Sequence, residues 1–106
     1  MKVIVIGGSG FLGSHVADQL SLAGHEVTVY DRHKSPWIRA DQKMVEADIL
    51  DEIKLDEAIE GCDAVYNFAA IADLNEARSR PVDTVKVNIL GNVLVLESCR
   101  KHNVKR

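Results

Sequence analysis

The chain has 106 residues, 46% hydrophobic and 27% charged, enough for one compact domain with a core and too few for two of ordinary size. Thirteen Lys and Arg against sixteen Asp and Glu give a net charge of −3, which leaves no basic footprint for nucleic acid or an anionic membrane. The longest apolar run near the start is Val3–Ile6. A signal-peptide core needs about 7–15 apolar residues and a membrane helix about 20, so neither is expected.

Val3-Ile4-Val5-Ile6 is continuous and β-branched, the pattern of a parallel strand covered on both faces. After the glycines, Leu12, Val16, Leu20 and Ala23 predict one inner helical stripe, with His15, Asp18 and Gln19 outward. Gly24 ends that helix, and Val27–Tyr30 reads as a second strand. Residues 33–42 read as loop around Ser35-Pro36, with Trp37 as its hydrophobic cover. Met44–Ala47 predicts a short third strand. Ile53, Leu55, Ala58 and Ile59 mark a short helix closed by Gly61, and Asp63–Ala69 a fourth strand.

One long helix is predicted from about Val82 to His102, entered after Pro81 and ending on basic residues that suit its dipole. It carries two apolar stripes on nearly opposite sides: Val85, Ile89, Val93 and Leu96, then Val87, Leu90 and Leu94. One can cover a sheet; the other needs a partner. Strand and helix alternate four times, which predicts an α/β fold with a parallel sheet.

Cys62 and Cys99 belong to no C-x-x-C pair or Cys/His cluster, and read as free thiols of a reducing cytoplasm. His15, His25, His33 and His102 show no ligand spacing and are expected on the surface; no metal site is predicted.

Gly7-Gly8-Ser9-Gly10-Phe11-Leu12-Gly13 places G-x-x-G-x-x-G where a strand ends and a helix begins. Missing side chains at Gly7 and Gly10 let a pyrophosphate approach the backbone. Phe11 and Leu12 open the helix whose free N–H groups and positive dipole end face it. Gly13 lets helix and strand pack closely. No Lys follows the last glycine, so the motif is not a P-loop. Asp31 ends the second strand, where a carboxylate accepts bonds from the adenosine ribose and repels a 2′-phosphate. That favours NAD over NADP, against which Arg32 stands, since an Arg there can hold the phosphate.

These residues, with Asp48-Ile49-Leu50-Asp51 after the third strand, Asn67-Phe68-Ala69-Ala70 ending the fourth, Pro81 and Asn88-x-x-Gly91, resemble the extended short-chain dehydrogenase/reductases. Within them the chain is similar to the NAD-dependent epimerase/dehydratases of nucleotide-diphosphate sugars. The resemblance implies a Rossmann-type doubly wound sheet in the order 3-2-1-4. It implies that Asp48 meets the adenine amino group, that Ile49 packs on the ring, and that Phe68, Ala69 and Ala70 line the path to the nicotinamide ribose. Asn88 would fix the fourth strand's end against its helix, and the last helix would form a homodimer.

In that family a Ser or Thr and a Tyr-x-x-x-Lys pair do the chemistry, on elements beyond the fourth helix. This sequence runs to Val104-Lys105-Arg106, where a fifth strand is expected, so no catalytic residue is assigned. Tyr30 and Lys34 match the spacing by accident, because a strand and loop do not place them on one helical face. Ile71–Ala77 departs from the sugar-contacting runs of the family, leaving the sugar unnamed; Asp73 reads as a loop residue. The expectation is the N-terminal, NAD-binding part of a longer epimerase/dehydratase. The rival is a stand-alone module that senses NAD or dimerises without catalysis.

Overall fold

Val3, Ile4, Val5 and Ile6 are almost wholly shielded because β1 (Lys2–Ile6) runs through the middle of a parallel sheet. The computed structural model describes all 106 residues. After β1 come α1 (Phe11–Leu22), β2 (Glu26–Asp31), β3 (Gln42–Glu46), α2 (Glu52–Ile59) and β4 (Ala64–Asn67). Then follow α3 (Leu74–Ser79), α4 (Pro81–Val85), a π-helical turn (Lys86–Leu90) and α5 (Gly91–Lys101). The four strands are parallel in the order β3-β2-β1-β4, with Ile4 opposite both Thr28 and Val65. The predicted class and strand order hold.

Each face has its own core. Ile4, Ile6 and Tyr30 pack with Ile49, Leu55, Ile59 and Val95 beneath α2 and α5. Val5, Val27 and Val29 pack with Ala17 of α1 on the other face. Burying side chains such as Leu55 and Ile59 contributes about 1.5–3 kcal/mol each.

The inner stripe of α1 differs from the predicted one. Gly13, Ser14, Ala17 and Ser21 face the sheet, Val16 and Leu20 are half-buried, and Leu12 and Ala23 are exposed. Apolar periodicity misled here because the helix lies too close to the sheet for large side chains. A Cβ on Gly13 would stand 2.3 Å from Gly7 O. Small residues are what permit that approach.

β3 starts two residues before Met44, and Ala47 N then donates to Asp31 O at 2.9 Å beyond its end. β4 ends at Asn67; Phe68 N still donates to Ile6 O at 2.8 Å, after which the chain leaves the ladder. α3 was not predicted. Its six residues are too few for periodicity, and the available signal was Asp73 followed by Glu76, since Asp73 caps Asn75 N and Glu76 N.

From Pro81 to Lys101 the backbone stays helical, with Gly91 N reaching back five residues to Lys86 O. Gly91 lies under Ile49, where a Cβ would be 3.0 Å from Ile49 Cδ1. Val87, Leu94 and Val95 turn toward the core, while Val82, Val85, Ile89, Val93 and Leu96 stay exposed and Leu90 joins them. No helix is long and apolar enough to cross a membrane.

Asp56 of α2 holds the end of α5. Its carboxylate accepts from Lys101 Nζ at 2.9 Å and Ser98 Oγ at 3.0 Å, and lies 3.0 Å from His102 Nε2. The Lys101 ammonium, then Ser98 and His102, keep the Asp56 carboxyl below its ordinary range. His102 is therefore not the surface residue expected; its side chain is only 15% exposed. Trp37, expected to cover its loop, is 58% exposed instead. Beyond α5, Arg106 O accepts from Val65 N at 2.8 Å, alongside the outer edge of β4.

Candidate functional site

The glycines of the β1–α1 turn are required for different reasons. Gly7 has φ +78° and donates its N–H to Tyr30 O at 2.8 Å. A Cβ there would meet Ala69 N at 2.6 Å, so the turn and the end of β4 touch only through glycine. Gly13 is forced by Gly7 O, as described above. Gly8, outside the predicted set, packs against Val29, whose Cγ1 would lie 2.7 Å from an added Cβ. Gly10 alone has room: its Cβ would meet nothing nearer than Gly7 O at 3.4 Å. Packing therefore leaves that glycine unexplained. Gly10 also caps α1 without a side-chain bond, and no acidic residue sits in the first turn. The first N–H groups of the helix, with Phe11 and Leu12 exposed around them, are left for an outside acceptor.

Asp31 is fixed from two directions. Its Oδ2 accepts from Ser9 N at 3.0 Å and its Oδ1 from His33 N at 3.2 Å, while Ser9 Oγ donates to His33 O at 2.6 Å. The carboxylate is thus tied to the glycine turn. Asp48 Oδ1 accepts from Leu50 N at 2.9 Å, and Asp48 Oδ2 lies 3.8 Å from Arg32 Nε. The cap of α2 is Asp51, which accepts from Lys54 N.

Tyr30 donates its hydroxyl to Asp48 O at 2.7 Å. Burial, then the Asp51 and Asp48 carboxylates, push its phenol up to about 12. The Tyr30 hydroxyl is thus committed to the Asp48 carbonyl and keeps its proton at neutral pH. The phenol binds its proton more tightly folded than unfolded, so its stabilising contribution is complete below pH 10 and disappears as pH rises through about 12. Absorbance titration of wild type against Tyr30→Phe should show no tyrosinate from Tyr30 until well above pH 10. Titration at the ordinary value would place the ring in water. The substitution itself should cost about 1 kcal/mol in a denaturant melt.

On the far side of the turn, Asn88 clamps the chain after β4. It accepts from Ile71 N at 2.8 Å and donates to Ile71 O at 2.9 Å.

An open cleft of about 200 Å³ lies across the carboxyl ends of the strands, lined by Gly7, Gly10, Asp31, Arg32, Ile49, Phe68, Ala69 and Ala70 of the predicted set. Phe11, Leu12, Gly13, Asp48 and Asn88 do not line it. Phe11 and Leu12 stand on the first turn of α1, Gly13 packs behind Gly7, Asp48 is beside Arg32, and Asn88 is behind Ile71. Ile6, Tyr30, Ala47, Ile71 and Val87 complete the lining and were not predicted. Ile6 and Tyr30 read as core strand and Val87 as helix stripe, and nothing in their spacing marks the ends that emerge into a cleft.

The strand order turns back at β1, between β2 and β4, and the cleft opens there, where open α/β sheets bind ligands. An unobstructed glycine, free helix N–H groups, a fixed carboxylate and the apolar Ile49 fit the diphosphate, ribose and base of a nucleotide. Fold and cleft together define a Rossmann-type domain. Residues 3–106 match the NAD dependent epimerase/dehydratase family, and the chain belongs to it.

A UDP-glucose 4-epimerase of Klebsiella pneumoniae is 32% identical over 99% of this chain and 84% of that relative. For the UDP-glucose 4-epimerase of Mus musculus the identity is 32% over 98% of this chain and 35% of that protein. The Thermotoga maritima UDP-glucose 4-epimerase, solved with UDP-glucose, superposes with a TM-score of 0.93 at 32% identity, covering 99% of this chain and 36% of that one. The Thermus thermophilus UDP-glucose 4-epimerase, solved with NAD, gives 0.91 at 32% identity over 99% and 35%. The chain thus spans about a third of the mouse relative and of the solved structures.

Proposed function

We propose that this chain is the NAD(H)-binding part of a nucleotide-sugar epimerase or dehydratase. The observation that carries the reading is Asp31, its carboxylate anchored by Ser9 N and His33 N at the edge of a cleft whose Gly10 faces open space. Asp31 takes the adenosine ribose, Gly10 and the first N–H groups of α1 take the diphosphate, and Ile49 packs on the base. Asp48 reaches the adenine amino group, and Phe68, Ala69 and Ala70 border the nicotinamide ribose. NAD is preferred over NADP because the Asp31 carboxylate repels a 2′-phosphate, while Arg32 leans toward Asp48. Solved relatives from Thermus thermophilus and Brucella ovis, each in complex with NAD, support the choice.

NAD held there would supply a hydride acceptor for the carbon that bears a sugar hydroxyl. This chain's residues bind and orient the dinucleotide, and its nucleotide-diphosphate sugar substrate is proposed from the UDP-sugar relatives. None of its side chains is assigned to proton transfer. Titration calorimetry tests the reading: NAD should bind at least about tenfold more tightly than NADP, the difference expected from one repelled charge. Equal affinities, or oxidation of UDP-glucose by these residues alone, would contradict it.

The exposed stripe Val82, Val85, Ile89, Val93 and Leu96 is the proposed homodimer face. Sedimentation across micromolar concentrations should show a dimer that Val93→Asp dissociates. A monomer throughout would remove this part of the proposal.

A further inference from the structure

Phe68–Ile71 walls one side of the cleft, and after Phe68, whose N–H still meets Ile6 O, the chain leaves the sheet, so the backbone groups of Ala69–Ile71 need partners outside the strand ladder. Side-chain amides supply them. Asn67 Oδ1 accepts from Ala69 N at 3.1 Å, and Asn88 pairs with both the N–H and the carbonyl of Ile71 at 2.8 and 2.9 Å. Asn92 joins these two anchors. Its Oδ1 accepts from Asn67 Nδ2 at 2.7 Å, and its Nδ2 donates to Asn88 O at 2.7 Å.

Each of the three amides therefore uses its carbonyl and its NH₂ at once, and together they tie β4, the wall and the helix into one closed path. Asn88 stands inside the π-helical turn Lys86–Leu90, and its own carbonyl is the one that receives the Asn92 side chain. Such turns insert one residue into a helix and redirect the side chains around it. Asn92 does not line the cleft. The Asp31 end is held separately, by Ser9 and His33.

We propose that Asn92 is a positioning residue: through Asn67 and Asn88 it sets the Phe68–Ile71 wall, and with it the fit of the nicotinamide end of the cofactor. This rests on the NAD reading above. Because the two ends of the cleft are anchored by different elements, the loss on removing Asn92 falls on one part of the ligand.

Asn92→Leu keeps the branched shape and removes both hydrogen bonds. Calorimetry with NAD and with ADP, which lacks the nicotinamide half, should show NAD weakened about five- to tenfold and ADP changed less than about twofold. Amide exchange of the unliganded protein should quicken at Ala69 and Ile71 and stay unchanged at Leu55. Asn92→Thr, which restores a hydroxyl donor toward Asn88 O, should recover part of the NAD affinity. Equal losses for NAD and ADP, unchanged NAD binding, or unchanged exchange at Ala69 and Ile71 would overturn the proposal. Should Asn92→Leu fail to fold, Asn67→Ala cuts the same path from β4 and is judged on the same readouts. Failure of the wild-type chain to bind NAD counts against the cofactor reading, while the exchange rates still decide whether the wall is held through Asn92.

Discussion

Gly10→Ala should leave the protein folded and remove most of its NAD affinity, while Gly13→Ala should damage the fold itself. An alanine Cβ at Gly10 meets only Gly7 O at 3.4 Å, an ordinary contact, on a backbone with φ −78° that any residue adopts. Its stability cost is limited to the poorer helix cap, about 1 kcal/mol. The same methyl group occupies the space where a diphosphate would approach the backbone, so affinity should fall about tenfold or more, ~1.4 kcal/mol. At Gly13 the added carbon would sit 2.3 Å from Gly7 O and 2.9 Å from Gly8 Cα, both backbone. Backbone cannot swing aside, so α1 must lift from the sheet, at about 3 kcal/mol. In a domain of this size that lowers the melting temperature by about 12 °C or more. Thermal melts and calorimetry on the two variants separate the effects. Unchanged NAD affinity in Gly10→Ala would mean that the open face of the turn is not the diphosphate site.

Asp31→Asn is the second large effect. The carboxylate holds Ser9 N and His33 N, and an amide can accept from only one of them, leaving its NH₂ facing the other donor. The charge that would meet the adenosine ribose is lost at the same time. Charge-assisted bonds of this kind are worth about 1–3 kcal/mol, so NAD affinity should drop about 5- to 150-fold. NADP should lose less, because the repulsion of its 2′-phosphate goes too, and Arg32 remains 3.8 Å from Asp48 to turn toward it. Competitive titration of the two dinucleotides reads both numbers. If neither changes, the adenosine end lies elsewhere.

The parallel sheet and the glycine turn were legible because each rests on a local pattern: an unbroken β-branched run, a glycine spacing, an acid at a strand end. The strand order 3-2-1-4 came only from the family resemblance, since no local pattern says which strands are neighbours. The inner face of α1 was not. Its leucines suggested a stripe, whereas close packing against Gly7 selected Gly13, Ser14, Ala17 and Ser21, a demand set by distance across the fold. The cleft divided likewise. Gly7, Asp31 and Ala69 announced themselves by motif, while Tyr30 and Val87 are core residues whose edges happen to reach the cleft. The Asn67–Asn92–Asn88 path joins residues up to 25 positions apart, and no periodicity reports such a connection.

The most direct test is an amide NMR titration of the chain with NAD. Saturable shifts should appear at Gly7–Gly13, Asp31–Arg32, Asp48–Ile49 and Phe68–Ile71, with the outward face of α5 silent. No saturable shift, or shifts centred away from the glycine turn, would contradict the assignment of this cleft to the dinucleotide.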